Sequence, residues 1–512
     1  MRSIRAGNIA VLAGWLAVVA FLVSQHVMWR DEVRALTLAI AGDDVVAMLR
    51  RLHGEGHPAL WYLLLRAAHG VIGMAALPAV ALAVGVAAAA LLALTSNIRW
   101  WVLALILFGQ MFLYEYTVMA RNYGLSMLLL FGLALVVRRN PASLWIGVLL
   151  FLLVNVNVHS VVIAAAFLLF LLIELFRPVP VARAAGVRPE VRNWLINTIV
   201  AAAGVACCVA TIFPTFNDAA AHSGIPAIGR LAGAVILPQP FFPELFPAFL
   251  DAVPPRVLKL LGSMLLFLGT LGLVRSLAAW IASLAALVGL TLLFAIVYGG
   301  FYRHEALFLA TLIALYWIAA DPRFRWAYPA RLDRVVERVR PVGIAAVLLL
   351  FALQLPPAFD RIRSAVAGLP ESRSASLGAY VAAHPEYRQS WMVAAPDALV
   401  EALPYYLANP TYLLHLQRAD SFIVYTRHAR LDVRLATLLD TARDLQRRSG
   451  HPTLILLGMK LTPATVGAFH EAYVWQLSVP PGDAQQFLSA TRFLGHFRPA
   501  RSDEEFDLYE VR

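Results

Sequence analysis

A mainly α, polytopic membrane helical bundle followed by a smaller α/β domain is the fold class this sequence predicts. Three observations carry the prediction. Hydrophobic residues make up 60% of the 512 and charged residues 14%, with a mean hydropathy of +0.71, far from soluble globular usage. Several long runs, among them 71–94, 194–216 and 276–302, contain no charge, and each can cross a bilayer as a helix of about 20 residues. After about residue 355 the apolar runs give way to short alternating helix-like and strand-like segments.

Taken in order, the first apolar run follows Arg2 and Arg5 and lacks a small-residue cleavage site. It reads as an uncleaved anchor over about 8–28, with the N-terminus in the cytoplasm. The later spans are expected near 71–95, 100–117, 122–137, 141–156, 160–176, 194–213, 257–274, 276–298, 306–320 and 342–356, about eleven in all. Residues 60–73 carry Arg66 and His69 and read as an interfacial helix. That choice puts Arg99, Arg138-Arg139, the Arg177, Arg183, Arg188 and Arg192 cluster, Arg275 and the basic 323–340 segment inside. The opposite parity breaks the positive-inside rule repeatedly. The uncharged run 141–173 is split where Asn155, Asn157 and His159 suggest an outward turn. The segment 215–256 reads as a long, proline-rich, apolar outer loop.

The chain therefore divides into a membrane module, 1–355, and an extracytoplasmic α/β domain, 356–512. Pro356-Pro357 are expected to break the last span. In the second part helices are expected at 375–383, 398–407 and 431–448, and strands at 391–395, 422–425, 452–457 and 506–511. The net charge of +11 is explained by arginines in loops between spans, so nucleic acid is not a partner. Cys207 and Cys208 are adjacent in an apolar run, which offers neither a disulfide framework nor a metal pattern.

Chemistry concentrates in one stretch, WRDEVRALTLAIAGDDVVAMLRRLHGEGHPALWY, residues 29–62. It opens with Asp31-Glu32 at a membrane boundary, where an acid is costly and is a functional candidate by default. It closes with Gly56-His57-Pro58 and an aromatic segment. Between them, 43–52 is a short amphipathic piece with acids first and Arg50-Arg51 last, an order that suits the helix dipole. On this topology Asp31, Glu32, Glu55, His57, Glu115, Arg121, Asn155, Asn157, His159, Arg303, His304 and Glu305 all fall at outer span ends. Asn155, Asn157 and His159 also suit interhelical hydrogen bonds, and Glu55 also suits a solvated position.

Asp31-Glu32 after the first span, with His57-Pro58-x-Leu-Trp-Tyr, resembles the first outer loop of the glycosyltransferase C superfamily. That superfamily includes protein O-mannosyltransferases and the aminoarabinose transferase of lipid A. Tyr114-Glu115 through Arg121-Asn122-Tyr123 resembles its second outer loop, and Arg303-His304 resembles its late basic motif. The resemblance covers about residues 8–320. Ala59 stands where a second proline is commoner, and Glu115 where some relatives have aspartate.

This resemblance implies an inverting transfer of sugar from a polyprenyl-phosphate donor to an extracytoplasmic glycan, lipid or protein acceptor, at the periplasmic face of a bacterial inner membrane. Asp31, with Glu32 beside it, is the expected catalytic base. Arg303, with His304 and Arg121, is the expected phosphate clamp. Further site candidates are His57, Glu115, Glu55, His159 and Tyr123. No cofactor is assigned, and a divalent metal stays open. A flippase of lipid-linked sugars or a non-catalytic scaffold would share the membrane composition. A transporter, however, commonly shows internal repeats and midplane polar groups, neither of which is evident here.

Overall fold

The computed structural model describes residues 2–177, 189–213, 228–238, 253–297, 299–424, 426, 428–472 and 475–512. Most of the expected 215–256 loop, and Arg183 and Arg188 of the basic cluster, lie outside the described residues.

The first half is helical: α1 (Arg2–Gln25), α2 (Arg30–Ile40), α3 (Val45–Arg50), α4 (Ala59–Ile72), α5 (Ala76–Thr95), α6 (Trp100–Leu107), α7 (Tyr123–Arg139), α8 (Trp145–Val154), α9 (His159–Leu175), α10 (Pro189–Ile212) and α11 (Ile228–Ile236). Then follow α12 (Pro255–Thr270), α13 (Leu277–Ile296), α14 (Tyr302–Glu305), α15 (Leu307–Ala319), α16 (Ala330–Ala352) and α17 (Leu355–Val366). Among the described residues six helical stretches, rather than about eleven, are long and apolar enough to cross a membrane: Arg5–Gln25, Ala59–Thr95, Glu190–Ile212, Pro255–Leu273, Leu277–Ile296 and Ala330–Val366. The other expected spans are shorter helices, 8 residues in α6, 17 in α7, 10 in α8, 17 in α9 and 13 in α15.

Three local features depart from the sequence expectation. Residues 30–40, for which the sequence suggests an outer loop and no helix, form α2, because Glu32 supplies the capping contact to the Trp29 N–H. The basic segment after 329 is the first half of α16, its arginines being good helix formers. Pro356 and Pro357 do not end helical structure but sit in the first turn of α17, where a missing N–H costs nothing. By contrast, α3 matches the amphipathic piece expected within 43–52, with Asp44 accepting the Ala47 N–H at 2.7 Å.

Asn155 and Asn157 tie helices together. Asn155 donates to the Gly204 carbonyl at 3.0 Å and Asn157 to Ser126 Oγ at 2.7 Å. Helix α16 approaches the end of α12 so closely that a Cβ on Gly343 would lie 2.0 Å from the Gly272 nitrogen. The arginines expected on the inner side gather at one end of the bundle. Arg323 donates to the Arg138 carbonyl, Arg177 to the Arg323 carbonyl, and Arg275 pairs with Asp333. Tyr123, at the start of α7, is about 23 Å from Arg138 at that end by helix rise.

Among its described residues the C-terminal part contains α18 (Ser374–Ala383), α19 (Leu435–Ser449) and α20 (Asp483–Ala490) with nine strands. Strands β1 (Trp391–Ala395), β2 (Thr411–Leu413), β3 (Arg418–Ala419), β5 (Thr453–Leu457), β8 (Thr491–Phe497) and β9 (Phe506–Val511) form one mixed sheet, in order β3-β2-β1-β5-β9-β8. Strands β4 (Asp432–Arg434), β6 (Gly467–Ala472) and β7 (Trp475–Val479) form a second, in order β4-β7-β6. The expected strands at 391–395, 452–457 and 506–511 are the center of the first sheet, paired β1-β5 parallel and β5-β9 antiparallel. Residues 398–407 are two short 3-10 turns rather than a helix, with Pro404 in the second. No strand forms over 422–424, and Tyr425 lies outside the described residues. Residues 432–434 are β4, so the expected 431–448 helix begins at Leu435.

This α/β part packs onto the segment that follows α1. Tyr406 donates to the Met28 carbonyl at 2.9 Å, the Arg30 N–H donates to Glu504 at 2.6 Å, and Arg30 pairs with Asp503 at 2.7 Å. The contact holds α2 between the helical bundle and the sheet domain.

Candidate active site

Asp31 opens α2, directly under the C-terminal part, and two arginines from distant loops reach it. Arg303 Nη2 lies 2.8 Å from Asp31 Oδ2. Arg121 lies 3.4 Å from the same oxygen and donates to the Asp31 carbonyl at 2.5 Å. The Asp31 side chain stays 24% exposed. Burial alone would raise its pKa, but Arg121 and Arg303 outweigh burial and hold the carboxyl well below the usual carboxylate range. The guanidinium of Arg303 is also 5.6 Å from the Trp29 ring and 5.3 Å from the Phe301 ring.

Loop geometry explains how Arg121 and Arg303 get there. Residues Met111–Glu115 form a π-helical turn, and the Met119 N–H bonds back to the Tyr114 carbonyl at 2.9 Å. Such turns widen a helix and are frequent at functional sites. Tyr116, directly after this turn, donates to the Arg303 carbonyl at 2.8 Å. Arg303 itself lies on α14, where the His304 ring accepts the Phe301 N–H at 2.9 Å.

Behind the arginines sits a ring of imidazoles. Arg121 donates to His57 Nε2 at 3.2 Å, so the neutral His57 ring carries its proton on Nδ1. Burial and the adjacent Arg121 charge depress the His57 pKa. The Tyr123 ring lies edge-on to both His57 and His304, at 5.7 and 5.3 Å, and His159 lies 5.0 Å from His304. His57 Nδ1, His159 Nδ1 and Arg303 Nε are buried without a hydrogen-bond partner. Each such donor or acceptor carries a desolvation cost of about 1–3 kcal/mol.

The structure separates the two adjacent acids that the sequence paired as catalytic. Glu32 has no exposed side-chain surface and faces away from the arginines. Its oxygens accept from the Trp29 N–H at 3.1 Å, the Ala120 N–H at 2.5 Å and His26 Nε2 at 2.9 Å. Successive helix residues point about 100° apart, so only one of two neighbors can face the cleft. Glu55 is likewise not at the clamp; it pairs with Arg34, which also pairs with Glu401. Thus Asp31, Arg121, Arg303, His57, Tyr123, His159 and His304 come together, while Glu32 and Glu55 brace the loop around them.

Glu115 belongs to a neighboring cleft of about 300 Å³, lined by Trp29, Phe301, Arg303, Arg361, Glu371 and Asp503 among others. Gln110 donates to Glu115 at 2.9 Å, and Arg361 pairs with Glu371 at 2.6 Å. From Glu371 a chain leads back to Glu32: Tyr114 donates to Glu371 at 3.1 Å, and His26 Nδ1 lies 3.1 Å from the Tyr114 hydroxyl. The His26 ring thus faces acceptors on both sides. Burial lowers its pKa, yet Glu32 and Glu371 win and raise it.

His26, Arg361, Glu371, Asp503 and Glu504 were not singled out by the sequence. Among the described residues no group of three or more His, Cys, Asp or Glu is placed to hold a metal ion. A separate apolar cavity of about 350 Å³ near Arg99 and Arg138 is remote from the clamp. No protein-family model, curated protein or solved structure matches this chain.

Proposed function

We propose that the chain is an integral membrane glycosyltransferase that moves a sugar, with inversion, from a polyprenyl-phosphate-linked donor to an extracytoplasmic acceptor. The observation that carries this reading is the Asp31 carboxylate held between Arg303 and Arg121, at the junction of an apolar helical bundle and a sheet domain. The pairing brings together the two things such a transfer requires, a carboxylate base and a cationic phosphate site.

In the proposed step the acceptor oxygen bonds to the anomeric carbon as the bond from that carbon to the phosphate oxygen breaks. The hydroxyl proton passes to Asp31, and the bonding pair leaves with the phosphate. Arg303 and Arg121 stabilize the charge that accumulates on the phosphate. A long isoprenoid tail suits the apolar helices. On this reading the protein sits in a bacterial inner membrane with the clamp and the C-terminal domain on the periplasmic side.

The test is sugar transfer by the purified full chain in vesicles, from a radiolabeled polyprenyl-phosphate sugar to an envelope extract. Label moving into an organic-insoluble product in wild type, and not in Asp31→Asn, supports the reading. Equal transfer by both proteins rules out Asp31 as the base.

A further inference from the structure

The 300 Å³ cleft beside the clamp has a composition that selects its ligand. Its charges are already matched in pairs. Arg361 holds Glu371 at 2.6 Å, Arg30 holds Asp503 at 2.7 Å, and Asp31 holds Arg303 at 2.8 Å. Glu115 takes the Gln110 amide and lies 4.0 Å from Arg361. The donor phosphate opens the Asp31–Arg303 pair on the proposed reading, but a charged ligand in the cleft itself would have to break the Arg361–Glu371 pair, 16% and 8% exposed, and an uncompensated buried charge is strongly unfavorable.

Neutral hydrogen-bonding capacity is what remains. Trp29 lines the cleft with only 8% of its surface exposed, and its Nε1 is buried without a partner. Arg303 Nε is in the same condition. The carboxylates can take further hydroxyl protons, and the two N–H groups behind the wall gain an acceptor only where a bound oxygen draws their side chains into the cleft. The Trp29 and Phe301 rings add apolar faces. At about 300 Å³ the cleft stands at the small end of ligand sites, the scale of one sugar ring.

We infer that this cleft is the acceptor subsite and that it takes a neutral, polyhydroxylated sugar ring. The inference rests on the transferase reading for its role, because Arg303 belongs to both cleft and clamp and so places the bound ring one side chain from Asp31. The mouth is formed in part by Ser502 and Asp503, so the C-terminal domain takes part in choosing the acceptor.

Saturation-transfer NMR on the full chain in nanodiscs tests this with methyl glycosides of a neutral hexose, a hexosamine and a uronic acid. The neutral hexoside should saturate most strongly. The Asp503 side chain is 69% exposed, so Asp503→Trp should fold and obstruct the mouth, cutting that signal at least fivefold. Trp29→Phe keeps the ring, removes the unpaired N–H and should weaken binding severalfold. No saturation of any glycoside, preference for a charged one, or an unchanged signal in Asp503→Trp overturns the proposal. Polyprenyl phosphate binding is measured on the same samples. Hexoside binding without phosphate binding upholds the cleft and removes the transferase reading; phosphate binding without hexoside binding removes only the cleft.

Discussion

The Arg303 guanidinium stands 2.8 Å from the Asp31 carboxylate, and that contact joins residues 272 positions apart in the chain. On the proposed reading the cation meant for the donor phosphate is holding the base. Donor phosphate and Asp31 then compete for Arg303, and phosphate binding frees the carboxylate to accept a proton. Asp31→Asn should therefore do two opposite things. Turnover should fall about 10²–10⁴-fold through loss of the base. Polyprenyl phosphate affinity should rise severalfold, since a partly exposed pair is worth about 1 kcal/mol at most. Single-turnover transfer and a binding titration separate the two, and weaker phosphate binding by the variant would show that Asp31 supports the phosphate rather than competing with it.

Arg303→Ala should weaken polyprenyl phosphate binding by roughly 10- to 100-fold, the equivalent of about 1.5–3 kcal/mol for charge-assisted hydrogen bonds. Lysine restores charge but not the planar fork or the contacts with the Trp29 and Phe301 rings. Arg303→Lys should thus recover only part of the affinity. Wild-type affinity in the alanine variant would remove Arg303 from the clamp.

Glu32→Gln is expected to act on stability more than on chemistry. The carboxylate accepts from two backbone N–H groups and from His26, and an amide would turn one oxygen into a donor facing a donor. The cost should be about 1–3 kcal/mol, seen as a lower thermal midpoint. Turnover per folded molecule should fall less than in Asp31→Asn. A larger loss of turnover than in Asp31→Asn would move the base assignment to Glu32.

What the sequence made legible, and what it hid, follows from range. Asp31, His57, Arg121, His159, His304 and Arg303 are polar residues at the ends of apolar runs, where membrane physics makes each one conspicuous. The topology expected from the arginines would put them on one face, and the structure brings them together. Glu32 could not be told from Asp31, because the sequence does not show which helix face meets Ala120. Arg361, Glu371 and Asp503 were hidden for another reason. They lie in a segment of ordinary polar composition, and only tertiary packing brings them to Glu115 and Trp29. The one available signal was α17, an amphipathic helix carrying Arg361 directly after the last apolar run. Residues 398–407 misled because their apolar content suits a helix while Pro404 forbids a regular one.

Glu504 should make docking of the C-terminal part depend on pH. Burial pushes its carboxyl up to about 8, against the lowering pull of Arg30. Between about 4.5 and 8 the folded chain keeps a proton that the unfolded chain has released. The folded form binds more protons, so stability from this group is complete below 4.5 and is lost as pH rises toward 8. The slope is at most about 1.4 kcal/mol per pH unit. Glu504→Gln mimics the protonated form and should flatten this part of the profile. Thermal midpoints from pH 5 to 9 for both proteins check it, and parallel profiles would show that Glu504 is ionized throughout.

The last prediction concerns the seam that carries Arg361 to the cleft. Helix α16 leads into α17, so the position of α16 sets that of Arg361. A Cβ on Gly343 would fall 2.0 Å from the backbone nitrogen of Gly272 and 2.5 Å from the Leu271 carbonyl carbon. Neither can rotate away, and the two helices would have to separate. A Cβ on Gly272 meets first the hydroxyl of Tyr316, the far end of a side chain, which can move by giving up its hydrogen bond to the Gly269 carbonyl. Gly343→Ala should therefore destabilize by about 1–3 kcal/mol and weaken hexoside binding through displaced Arg361, while Gly272→Ala should cost less on both counts. Thermal unfolding of the two variants decides the order. A Gly343→Ala protein as stable as wild type would mean that the backbones are not in contact there, and that α16 does not fix the cleft.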